Sequence, residues 1–219
     1  MGTGATFVLR TPVILLAGFD LAVLALRLRP WPEIVNLPGQ GTTGFDPIIC
    51  LVTYIGLLFW IGGNRNSDIQ KALLAGTTFG IPAGLLAIGY VLLMGQHSNQ
   101  IFYTQIGLLV AASILCGVAG LRGSQLAASP NVGIATGVWS AMVTALMASA
   151  VVLAKIDLNN PVPQSPDPWK QYQGLAIGNQ AIQTLVHSLN TATGFMLIAP
   201  LVGGTAGLIF SLMGQSDKH

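Results

Sequence analysis

Asp20 lies in the middle of an apolar run, residues 12–28, flanked by Phe19 and Leu21. A charge at that depth in a bilayer costs about 2.5–3.5 kcal/mol on insertion scales, so an acid there marks either a site or a buried contact. As a site it would be a proton or cation station facing the interior of a helix bundle. As a contact it is a protonated or hydrogen-bonded carboxyl that fixes helix packing. Arg27 follows two turns later on a similar face and would approach the acid through water. A coupled transporter ordinarily needs more than one such group. No second acid or base occurs at comparable depth, so the packing role is the expectation.

The other chemistry-bearing residues are dispersed. His97 falls in a loop, His187 in a mixed polar and apolar stretch, and His219 in the tail. A neutral imidazole is a good ligand for a haem or a chlorophyll-type pigment. His187 would serve only if its helix turned it inward, and a surface position is the competing reading. No spacing of His, Cys, Asp and Glu resembles a metal site. Cys50 and Cys116 occupy separate apolar runs and read as buried small residues rather than a disulfide. Arg65 and Arg122 sit in two short polar turns, where they would hold lipid phosphates or act as topology anchors. There is no Walker-type glycine loop, no Ser/His/Asp arrangement and no intramembrane-protease motif. The loops are too short for a soluble catalytic domain, so an enzyme is not expected.

Rows of small residues are the clearest pattern. Gly76, Gly80 and Gly84 recur at four-residue spacing, as do Gly133, Gly137 and Ala141, and Gly203 with Gly207. On a membrane helix such rows let backbones approach closely and gain dispersion contacts, within the chain or with a partner subunit.

The elements that carry these residues follow from composition. Hydrophobic residues make up 52% of the 219, charged residues only 7%, and the mean hydropathy is +0.68. Soluble domains carry about 25% charged residues, so this chain belongs in a bilayer. The net charge of +2 is too small and too scattered to suggest nucleic acid. Apolar runs at 12–28, 47–63, 71–95, 101–121, 131–154 and 192–213 are each near the ~20 residues needed to cross hydrocarbon. They are too long and too uniform for barrel strands. The expected fold is all-α: one polytopic transmembrane domain, 1–219, of six spans. The first run, with its central acid and no small-residue cleavage site before Arg27, reads as an uncleaved helix rather than a signal peptide. Pro82 and Pro200 each remove a hydrogen bond to the carbonyl four residues earlier, at Thr78 and Met196, and predict kinks.

Two stretches break the pattern. Residues 155–173 form a linker in which Pro161, Pro163, Pro166 and Pro168 forbid regular helix. In 175–190, Ile182, Leu185, Val186 and Leu189 share a face, which predicts a separate amphipathic helix at the interface or docked over the bundle.

The chain also repeats itself. Gly63, Arg65, Ser67, Gly76 and Gly80 match Gly120, Arg122, Ser124, Gly133 and Gly137 at one offset of 57 residues. This predicts a duplicated hairpin, 47–95 and 101–154. Six spans place both termini on one side. Arg65, Lys71 and Arg122 in the short loops there favour the cytoplasm, with the Pro-rich loops outside. Trp31, Tyr103, Trp169 and Tyr172 would mark the outer interface and Trp60 the inner one. The expected role is a non-catalytic integral subunit of a larger complex in the cell membrane, respiratory or photosynthetic in kind, surrounded by lipid and other subunits. The alternative is a small transporter or channel with Asp20 as its proton or cation site.

Overall fold

Backbone N–H and C=O groups in hydrocarbon must be satisfied within the segment, and an α-helix does this residue by residue. The computed structural model describes residues 3–29, 46–62, 66–94, 98–155 and 180–216, and every element among them is helical. They are α1 (Thr3–Leu28), α2 (Asp46–Gly62), α3 (Ser67–Leu93), α4 (Asn99–Ala127), α5 (Pro130–Ala154) and α6 (Gln180–Ser216). All but α2 contain a stretch long and apolar enough to cross a membrane. The 17 residues of α2 rise about 25 Å, short of the ~30 Å hydrocarbon core.

Local signals set the helix ends. The Asn66 side chain accepts from the Asp68 N–H at 2.9 Å and starts α3; Ser98 accepts from the Ile101 N–H at 3.2 Å and starts α4. Between α4 and α5 the turn is very short. Ala128 adopts a left-handed conformation (φ 47°), Ser129 follows, and Pro130 opens α5, where its missing N–H costs nothing.

The fifth helix is the axis of the bundle. α5 packs against α1, α3, α4 and α6, and Trp139, Met142, Leu146 and Leu153 on it have no solvent exposure. The Trp139 indole N–H donates to Thr77 Oγ1 of α3 at 2.9 Å, so the largest buried side chain leaves no orphaned donor.

The two hairpins expected to be duplicates pack differently. α4 lies along α5, whereas α2 rests on α1 and α6 and barely meets α3. The small face of α3 is applied to α5 instead. Gly56, the one glycine of α2 clear of its end, faces open space, so α2 lacks a glycine surface that would draw α3 close.

The separate amphipathic helix expected over 175–190 is corrected from Gln180 onward. These residues are the opening turns of α6, which runs without interruption for 37 residues. The polar cluster near Asn190 reads as a break, but its hydroxyls at Ser188 and Thr191 are satisfied inside the helix. Ser188 Oγ donates to the Thr184 carbonyl and Thr191 Oγ1 to the His187 carbonyl, both at 2.9 Å, so Ser and Thr stay helical by bonding the preceding turn. Of the apolar face, Leu185, Val186 and Leu189 are fully buried in the core, and the side chain of Ile182 lies outside the described residues. Residues 175–179 and the linker 156–173 lie outside the described residues. At about 55 Å, α6 is longer than the bilayer is thick. Similarly, α1 begins at Thr3 rather than near residue 12, with Pro12 inside it.

Pro200 also lies inside its helix, and the carbonyl it leaves free finds a partner from elsewhere in the chain. Tyr54 Oη of α2 donates to the Met196 carbonyl at 2.6 Å. The proline defect in α6 is thereby the anchor point for α2.

Candidate functional site

Asp20 projects from α1 into the core and is completely buried. Ser149 Oγ of α5 donates to Asp20 Oδ2 at 2.7 Å, while Oδ1 has no hydrogen-bond partner among the described residues. The same hydroxyl lies 3.1 Å from the Leu146 carbonyl, so it has a second acceptor within its own helix. Arg27 does not turn back to the acid. Its Nη2 donates to the Ala154 carbonyl at 2.9 Å, capping the last turn of α5, where a cation also meets the negative end of the helix dipole. Asp20 and Arg27 therefore bind α1 to α5 at two levels.

The glycine rows mark where backbones meet. A methyl group built on Gly76 would lie 2.9 Å from the Thr136 carbonyl oxygen, and one on Gly80 would lie 2.8 Å from that of Ser140. One on Gly84 would run into the Met147 side chain. This row faces α5. A neighbouring face of α5 does the same with α6. A methyl on Gly137 would run into the Gly203 carbonyl oxygen, one on Gly133 into Ser211 Oγ, and one on Gly207 would come 3.1 Å from the Gly133 carbonyl oxygen. Gly120 of α4 also lies against Gly207, making a three-helix contact with almost no side chain in it.

Residues of α3, α4, α5 and α6 together line a cavity of about 370 Å³. Tyr90, Ala112, Cys116, Thr144, Gly194 and Phe195 line it. The Tyr90 and Phe195 rings meet edge to face at 6.0 Å. At the floor, Ser140 Oγ donates to Cys116 Sγ at 3.6 Å, and Thr144 Oγ1 lies 3.0 Å from the Ser140 carbonyl and 3.3 Å from that of Gly80. Cys50 and Cys116 are both free and buried.

The remaining candidates stand apart from these centres. His187 is exposed, on the side of α6 away from the buried Leu185, Val186 and Leu189, so it does not enter the bundle. Arg122 is exposed and donates to Gln125 Oε1 at 3.4 Å. Arg65, His97 and His219 lie outside the described residues, as do Trp31, Trp169 and Tyr172. Trp60 (79% exposed) and Tyr103 (71%) present their rings outward near helix ends. Among the described residues, no three of His, Cys, Asp and Glu converge as metal ligands would.

Sequence reasoning found Asp20 but not its partner. Ser149 lies 129 residues away, and nothing at that separation links the two in one chain. The hydroxyls of α5 carried a usable signal. Thr136, Ser140 and Thr144 recur every four residues beside the Gly133, Gly137, Ala141 row, which places a polar stripe along an apolar run.

Comparison with protein-family models, with curated proteins and with solved structures finds no match.

Proposed function

We propose that this membrane-spanning chain is a non-catalytic integral subunit of a larger membrane complex. One observation carries the reading: the two groups best suited to chemistry are both engaged in assembly. Asp20 is held by Ser149, and Arg27 caps α5 at Ala154. The faces available to other subunits are the apolar outer surfaces, above all that of α2, where Ile49, Val52, Phe59 and Trp60 are exposed. Extraction of native membranes in mild detergent should yield the chain co-migrating with other integral proteins in fixed proportion. Recovery of the chain alone, folded and monodisperse, would refute the proposal.

In this reading α2 is the sixth span despite its length, both termini are cytoplasmic, the membrane is the cell membrane, and the 57-residue repeat records a duplication. The orientation is checked by labelling single cysteines in a background lacking Cys50 and Cys116. Gly41→Cys, Ser98→Cys and Gln164→Cys should react from outside intact cells, and Ser67→Cys and Gln125→Cys should not. The opposite pattern would invert the topology.

A transporter or channel built on Asp20 is the second reading. The observation that favours it is the free Oδ1 atom, an acceptor at full burial with no partner among the described residues.

A further inference from the structure

We propose that the cavity between α4 and α6 is a binding site for one acyl chain of a membrane phospholipid. The inference rests on the membrane-spanning bundle alone and is independent of the subunit reading.

Three features identify the occupant. The first is where the cavity opens. Its mouth is bounded by Leu109, Ile198 and Val202, and Ile198 is 60% exposed. These residues continue directly into the outward apolar face of α6 at Leu197, Leu201 and Leu208. The mouth thus lies in the surface that meets hydrocarbon, where the molecules at hand are lipid chains.

The second is shape. Along α6 the cavity lining runs from Thr191 to Val202, eleven rises or about 16 Å at 1.5 Å per residue. An elongated space of about 370 Å³ suits an extended chain better than a compact guest. The volume also falls within the ~300–1,000 Å³ of small-molecule sites.

The third is chemistry. The serine and threonine hydroxyls that line the cavity already have acceptors in the protein. Ser113 Oγ donates to the Leu109 carbonyl at 2.8 Å and Thr191 Oγ1 to the His187 carbonyl at 2.9 Å, while Thr144 Oγ1 has the Ser140 and Gly80 carbonyls. What these residues offer a guest is their carbon surface. A polar headgroup would lose its hydrogen bonds inside, whereas a hydrocarbon chain loses none and gains dispersion contacts that an empty cavity forgoes.

Gly194 provides the test. A methyl built there meets nothing within 4 Å, so Gly194→Leu fills the cavity from the α6 side without a clash at the branch point. Replacing a mid-helix glycine also favours the helix. Ser113→Leu fills it from α4, and Gly107→Leu, equally unobstructed but outside the cavity, is the control. The full chain is reconstituted in phosphatidylcholine vesicles containing a trace of phosphatidylcholine with a diazirine in its acyl chain. After irradiation, adducts are mapped by mass spectrometry.

The expected result is labelling at Ser113, Cys116 and Phe195 several-fold above that at the lipid-facing Leu85 and Leu208. Gly194→Leu and Ser113→Leu should remove the excess at the remaining positions, and Gly107→Leu should leave it. Uniform labelling around the bundle, or an excess that survives both filled variants, would overturn the proposal. So would displacement of the probe by a polyprenyl compound in preference to unlabelled phospholipid, which would assign the site to an isoprenoid tail. If both filled variants fail to melt like the parent, the space is required for packing rather than for a guest, and the proposal falls.

Discussion

Gly137→Leu is expected to lose the folded bundle, at a cost of about 3 kcal/mol or more, the upper end of what overpacking does in well-packed interiors. The reason is the identity of the obstructing atoms. A side chain at Gly137 meets the Gly203 carbonyl oxygen and the Gly207 backbone, and neither can rotate away. α5 and α6 would have to separate along the whole three-helix contact. A graded series sharpens the expectation. Gly80→Leu meets the Ser140 carbonyl oxygen and Val143 Cβ and should be nearly as damaging. Gly84→Leu meets the Met147 side chain, which has several rotatable bonds, and should cost distinctly less. Gly18→Leu meets nothing within 4 Å and should be neutral. Unfolding in mild detergent, followed by circular dichroism as temperature or SDS rises, gives the order directly. Equal stability of Gly137→Leu and Gly18→Leu would show that the small-residue contact contributes nothing.

Asp20 yields the second large expected effect, because its variants separate two functions. Asp20→Asn keeps the size and the acceptor for the Ser149 hydroxyl, so on the subunit proposal its stability should match the parent's. Asp20→Leu removes the acceptor. Interhelical hydrogen bonds in membranes contribute about 0.6–1.7 kcal/mol, and the loss should fall in that range rather than higher. Ser149 Oγ can fall back on the Leu146 carbonyl, which spares it the penalty of an orphaned donor. On the same proposal, reconstituted vesicles of parent and Asn variant show no difference in pH-dependent ion flux. A parental flux that vanishes in a folded Asp20→Asn variant would replace the structural account with the transporter reading.

Much of this architecture can be read from the chain, and the parts that cannot share a physical cause. The apolar runs locate α3, α4 and α5 to within a few residues at most boundaries, because in hydrocarbon a long apolar run has one backbone solution. Glycines at four-residue spacing single out the positions of closest approach for the same reason: backbones can touch only where side chains are missing. Hydropathy fails near Asn190 and Thr191, where a polar cluster looks like a break between two helices and is the interior of α6. Polarity reports contact with water, and here the hydroxyls of Ser188 and Thr191 are satisfied by carbonyls of their own helix instead. The 57-residue repeat is a statement about local sequence. Packing of α2 depends on Tyr54 reaching the Met196 carbonyl, 142 positions away, which no local pattern encodes. The cavity is equally invisible, since its walls come from four helices that are far apart in the chain.

The central position of α5 has a consequence for how the protein is made. The helix that the others share is the fifth to be synthesised, so α1, α3 and α4 enter the membrane before their common neighbour exists. At synthesis rates of roughly 5–20 residues per second, the 129 residues from Asp20 to Ser149 take about 6 to 26 s. For that interval the acid on the first helix has no hydroxyl to bind, and Arg27 has no helix end to cap. The nascent chain must shelter a carboxyl in a half-built bundle, among whatever waters, lipid headgroups or insertion machinery surround it, until the fifth helix arrives.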